Sequence, residues 1–208
     1  MGHREDLIDG AKRCLYERGW ARTTARDIVA ASQTNLASIG YHFGSKDALL
    51  TTALMEAIDE WGDRLTASLA QRELPADNPL ARFEATWSGI IDSFEEHRPL
   101  WVALFEALAQ VGHSTELRGY LADAAQHGRE RIAAGFARAG AAADQEAARS
   151  RGAFHQALLI GVMAQRLIDP ARAPTGTDLS DALRAIITEA SALREGRATL
   201  KPDLEMEG

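Results

Sequence analysis

The chain has 208 residues, 46% of them apolar, enough to bury a substantial core in one large domain or a small one fused to a larger one. Its longest apolar runs, Leu100 to Leu104 and Ala157 to Ala164, are too short to span a bilayer, and the acidic start Glu5-Asp6 lacks the apolar stretch of an export signal. A single Cys excludes an internal disulfide framework and agrees with a cytoplasmic protein. The net charge of −7 is unevenly spread: residues 1–46 carry seven Lys/Arg against five acids, whereas the remainder carries 16 against 25. A slightly basic head on an acidic body is the charge pattern of a duplex-binding module joined to a separate domain.

Composition favours an all-α protein of about nine helices. Leu7, Ile8, Ala11, Cys14 and Leu15 form one apolar stripe that Gly19 closes. Thr24 opens a second helix with Asp27 in capping-box spacing, and this helix ends near Ser32. The turn Ser32-Gln33-Thr34-Asn35 caps a third helix over Leu36 to Phe43, and Gly44-Ser45 recaps the chain for a long helix from Lys46. Two prolines between Glu73 and Pro79 mark a connecting loop. Beyond it, helices are predicted at Leu80–His97, Leu100–Val111, Thr115–Ala139, Gln145–Ile168 and Leu179–Leu193, and the tail from Glu195 is predicted to fray.

The first three helices are the frame of a helix-turn-helix reader. Ile39 and Phe43 are expected to face inward, leaving Leu36, Ala37, Ser38 and Tyr41 toward a DNA groove. Small and hydroxylated side chains there suit contact with thymine methyls and base edges. Free amides at Thr24 and at Ser45-Lys46, the Lys46 charge and His42 are expected to grip phosphate.

Arg18-Gly19-Trp20, Thr23 to Ala30, and Tyr41-His42-Phe43-Gly44-Ser45-Lys46-Asp47-Ala48-Leu49-Leu50 resemble the N-terminal domain of the TetR family of repressors over residues 5 to 60. Two departures are Gly40, where many members carry an aromatic residue, and Gln33-Thr34, where Gly-Val is common. The resemblance implies a DNA-binding domain, here 1–47, and a ligand-binding and dimerisation domain, here 48–195; the apolar-poor segment 196–208 with Pro202 is expected to be a flexible tail. It also implies a homodimer on a palindromic double-stranded operator and a small-molecule effector with an apolar part.

In the body, Trp87, Ile91, Phe94, Trp101 and Phe105 are large apolar residues at helical spacing that serve either as core or as pocket lining, with Glu106, Gln126 and Gln156 as candidate polar contacts. Phe154, Leu158, Gly161 and Val162, with Leu183, Ile186, Ile187 and Ala190, are the candidate dimer faces. The histidines have no metal-ligand spacing, Cys14 lies on an apolar stripe, and there is no phosphate-cradling glycine loop; neither a metal, a cofactor nor an enzymatic activity is expected. A dimeric regulator without an effector, controlled by a protein partner or acting as an activator, is the alternative.

Overall fold

The structure is a computed structural model, and it describes residues 3–71, 77–138 and 144–199. The described residues form nine helices and no strand: α1 (His3–Arg18), α2 (Ala25–Ser32), α3 (Leu36–Phe43), α4 (Lys46–Ala70), α5 (Pro79–Asp92), α6 (Arg98–Ala109), α7 (Thr115–Arg138), α8 (Gln145–Ile168) and α9 (Gly176–Thr199). They divide into two compact units. One holds residues 1–64 and 94–173, the other 65–93 and 174–208.

The first unit contains the expected trihelical head. Leu7, Ile8, Ala11, Cys14 and Leu15 are buried along α1, and Glu5 and Asp6 in its first turn and Arg18 in its last complement the helix dipole. Burial, then the nearby Asp27 charge, push the Cys14 thiol pKa up, so it behaves as a small core side chain. Gly10 is where α1 and α2 meet: a Cβ built there would stand 2.7 Å from Ser32 Cβ and 2.9 Å from Ser32 N. Arg13 Nη2 adds a hydrogen bond to the Ala31 carbonyl.

Leu49, Leu50, Ala53, Leu54, Ala57 and Trp61 form the buried stripe of α4. Lys12 joins α1 to α4 through Glu60 at 2.6 Å and Glu56 at 3.1 Å. Burial alone would lower its pKa, but the two carboxylates outweigh that and the net direction is up. Arg131 of α7 reaches Asp59 and Asp63 of α4 at 2.9 and 2.6 Å. α7 and α8 pair closely, with Gln156 Nε2 donating to the Ala125 carbonyl at 2.9 Å.

In the second unit α5 pairs with α9. Thr177 Oγ1 donates to Glu84 Oε1 at 2.7 Å, and Ser180 is fully buried with its hydroxyl 3.5 Å from the Leu80 carbonyl.

Several boundaries differ from the sequence expectation. α5 stops at Asp92, not His97, because Ser93–His97 turn while still burying Phe94. α6 begins at Arg98, not Leu100: Pro99 sits in its first turn, where a missing amide costs nothing. α9 begins at Gly176, three residues early, because Thr175 and Asp178 cap each other reciprocally at its start. It also continues to Thr199, beyond the expected end at Leu193. Residues 200–208 of the expected tail, and residues 72–76 and 139–143 of the expected connections, lie outside the described residues.

Candidate nucleic-acid interface

Each end of the turn between α2 and α3 is built from local hydrogen bonds. Thr24 Oγ1 accepts from Asp27 N at 3.2 Å, and Asp27 Oδ2 accepts from Thr24 N at 2.9 Å. The Asp27 carboxyl is held below the ordinary carboxylate range by the Thr24 hydroxyl and then the Thr24 amide, with Arg18 at 3.2 Å assisting. At the far end of α2, Gln33 adopts a left-handed conformation, φ 56°, and its amide bonds the Val29 carbonyl. Asn35 Oδ1 then caps α3 by accepting from Ser38 N at 3.1 Å.

These caps fix which face of α3 is free. Ile39 is buried against the head, and Phe43 is half-buried under the Arg4 guanidinium at 5.4 Å. Leu36 is 52% exposed and Tyr41 86%, while Ala37 and Gly40 are also exposed. Two large apolar side chains left in water beside small residues make a surface suited to close approach by another molecule. Ser38 is half-buried, with its hydroxyl donating to Asn35 Oδ1 at 3.2 Å. His42 is half-buried, its ring edge-to-face with Tyr41 at 4.8 Å.

The expected phosphate anchors are arranged differently from the sequence reading. The Thr24 amide is not free, because Asp27 accepts from it, and Arg26 beside it is exposed. Lys46 Nζ donates to the Thr23 carbonyl at 3.3 Å and pairs with Asp47 at 3.2 Å, so it joins the start of α4 to the loop between α1 and α2. Ser45 Oγ caps α4 by accepting from Ala48 N at 3.0 Å.

Two side chains of the body reach this head. Glu106 Oε2 accepts from the Ala21 amide at 3.0 Å and lies where a Cβ on Gly19, φ +79°, would stand at 2.7 Å. Thr23, 2% exposed, continues the loop by donating from Oγ1 to the Gly19 carbonyl at 2.6 Å. Near the start of α4, Tyr120 donates to Glu116 at 2.7 Å, and this bond raises the phenol pKa while the Ser45 hydroxyl acts against it.

The candidate pocket residues fall in both units. Trp87 and Ile91 are buried in the second unit; Phe94 and Trp101 are buried in the first, where Trp101 meets Trp61 edge-to-face at 5.0 Å, and Phe105 is half-buried. Glu106 points to the head. Gln126 and Gln156 bond Arg129 at 2.9 and 3.2 Å; Gln126 lines a surface cleft of about 330 Å³ with Arg129, Glu130, Arg149, Ser150 and Ala153. Of the candidate dimer residues, Phe154 on α8 is 48% exposed, whereas Leu158 and Gly161 are half-buried and Val162 is buried. On α9, Ile186 and Ile187 are 61% and 50% exposed, Ala190 is exposed and Leu183 half-buried.

Residues 7–53 match the family model of bacterial regulatory proteins of the tetR family, and residues 79–189 match the tetracyclin repressor-like C-terminal domain. The chain belongs to the TetR family of DNA-binding transcriptional regulators. Among curated relatives, it is 39% identical over 62 residues to the HTH-type transcriptional regulator TtgR of Pseudomonas putida, covering 30% of this chain and 29% of that one. It is 26% identical over 116 residues to the regulator BetI of Burkholderia thailandensis, covering 55% and 57%. The matches to the most similar of these TetR-family relatives span about a third of their length. The fold is similar to that of the multidrug binding protein EbrR complexed with imidazole, with a TM-score of 0.61 at 23% identity over 91% of this chain and 94% of that one. A TetR transcription regulator from Haloarcula marismortui gives 0.53 at 20% identity, covering 91% and 97%. Among the described residues, no helix of this TetR-family chain is long and apolar enough to cross a membrane.

Proposed function

We propose that this TetR-family regulator is a cytoplasmic homodimeric repressor that reads a palindromic operator with α3 and releases it when a small molecule binds the helical body. The observation that carries the reading is the free face of α3: Leu36, Ala37, Gly40 and Tyr41 stand in solvent on a helix held down by Ile39 and capped at both ends. Residues 1–47 act as the DNA-binding head, with Leu36, Ala37, Ser38 and Tyr41 toward the groove and the start of α2 after Thr24, His42 and Lys46 toward phosphate. Residues 48–195 act as the effector and dimer domain. The exposed Phe154, Ile186 and Ile187 are the apolar side chains a second copy would cover.

Release of DNA requires that the effector favour one arrangement of the heads over another. Glu106, on the helix that carries Trp101, is the direct link by which a change in the body reaches the loop before Thr24. That the structurally similar EbrR is a multidrug binding protein, seen with imidazole and with proflavin, supports an effector site in the same fold.

The test is binding of the full chain to duplexes it selects from a random pool, across a salt series and with candidate ligands. Affinity is expected to fall steeply with salt, and Lys46→Ala to reduce the log–log slope by about 0.9 for each lost phosphate contact. Salt-independent binding would remove the DNA reading; duplex binding that no bound ligand weakens would remove effector release alone.

A further inference from the structure

Near the end of α8 the first unit carries a half-buried guanidinium that no carboxylate of the described residues pairs. Arg166, near the end of α8, places its guanidinium 5.5 Å from the centroid of Phe94, a fully buried ring. Its Nε is buried with no acceptor, and no carboxylate lies within ion-pair distance of it, among the described residues. A second buried donor is the indole Nε1 of Trp101, a residue 1% exposed, which has no acceptor among the described residues.

The two donors lie on helices that pack on each other. Phe94 precedes α6 by four residues, Trp101 is the fourth residue of α6, and α6 packs on α8. A second cation near the start of α6 is Arg64, whose Nη2 stands 3.4 Å from Nε2 of the buried His97, and it too has no ion-pair partner among the described residues. The surroundings are otherwise apolar: Trp61, Leu100, Leu104, Val162 and Met163 are all buried.

Buried polar groups in folded proteins are nearly always hydrogen-bonded, and an unpaired charged donor is the most costly exception. A ligand that supplies acceptors removes that cost, and an anionic one also neutralises the guanidinium. We infer that the body binds a small carboxylate with an apolar body, its carboxylate held by Arg166 and the Trp101 indole N–H beside the Phe94 ring. The inference deepens the effector reading by naming the ligand class, and it depends on that reading only for the consequence that binding releases DNA.

The test is calorimetry and thermal melting of the full chain, without DNA, against 1-naphthoate and octanoate and their neutral counterparts 1-naphthalenemethanol and octanol. At least one carboxylate is expected to bind and raise the melting temperature, at least ten-fold more tightly than its alcohol. Arg166→Met fits the apolar surroundings and removes the charge, and is expected to weaken that carboxylate by about 10- to 100-fold while leaving the alcohol unchanged. Trp101→Phe, which keeps a ring and deletes the N–H, is expected to weaken it by about three- to ten-fold. Carboxylate and alcohol binding equally, no carboxylate binding at all, or Arg166→Met binding the carboxylate as the wild type does would each overturn the site. The comparison on the wild type alone decides the matter if either variant fails to fold. A carboxylate that binds as described yet leaves a bound duplex in place contradicts effector release and leaves the site standing.

Discussion

Gly10→Ala isolates the contact that sets the angle between α1 and α2. The added Cβ would stand 2.7 Å from Ser32 Cβ, 2.9 Å from Ser32 N and 3.1 Å from the Ile28 carbonyl oxygen, when ordinary carbon contacts begin near 3.4 Å. None of the three atoms lies at the end of a flexible side chain, so the relief must come from moving α1 away from α2. Replacing a mid-helix glycine by alanine gains about 1 kcal/mol of helix propensity, whereas overpacking a tight contact costs about 1–3 kcal/mol. With backbone as the obstacle the larger cost applies, and the net is a loss of about 1–2 kcal/mol. Gly62→Ala on α4, where nothing lies within 4 Å of the new Cβ, supplies the propensity gain without the clash. Urea unfolding of the two full-length variants measures the difference, expected at about 2–3 kcal/mol. Gly10→Ala stabilising the chain as much as Gly62→Ala would refute the close-approach argument. Duplex binding by Gly10→Ala is expected to weaken as well, since α2 positions the turn that aims α3.

Three further outcomes follow from other parts of the head and body. Gln33→Gly is expected to raise stability by about 0.5–1 kcal/mol in the same unfolding assay, because glycine accepts the left-handed φ of 56° and loses only part of that gain to a freer unfolded chain. Burial, then Arg151, lower the His155 pKa from 6.5 to about 4, so the folded state keeps this ring neutral. As pH falls through 6.5 the unfolded chain takes up a proton that the folded one refuses; stability then declines down to about pH 4 and is flat below it for this group. After discounting for its partial exposure the decline is about 1–2 kcal/mol, and His155→Gln should flatten it in unfolding curves taken across that range. Glu106→Ala should speed hydrogen exchange at the Ala21 amide and weaken duplex binding, whereas Glu106→Gln, which keeps an acceptor oxygen, should restore most of both; unchanged exchange at Ala21 in the alanine variant would contradict the contact.

The head was legible in the sequence because its boundaries are local chemistry. Thr24 with Asp27, Asn35, Gly44 and Ser45 each cap within four residues of themselves, and α2, α3 and the start of α4 fall where those residues put them. The same capping box carried a consequence that spacing alone did not reveal: satisfying the Thr24 amide with Asp27 removes it as a free phosphate donor. The end of α5 was hidden because Phe94 keeps helical spacing with Ile90 and Ile91 while the chain around it turns. Long-range partners left no local mark. Glu106 meets Ala21 across 85 residues, and Arg166 meets Phe94 from another helix, so one read as a pocket residue and the other was not singled out. Trp87 and Trp101 looked equivalent as large residues on neighbouring helices, yet they lie in different units.

The central claim is that the exposed face of α3 reads DNA sequence, and selection of duplexes from a random pool by the wild-type chain and by Leu36→Ala and Ser38→Ala tests it most directly. The account predicts a palindromic motif for the wild type, with half-sites about 34–36 Å apart or a multiple of that, and altered base preference at a fixed position of each half-site for each variant. A motif that both variants share with the wild type, base for base, would contradict it.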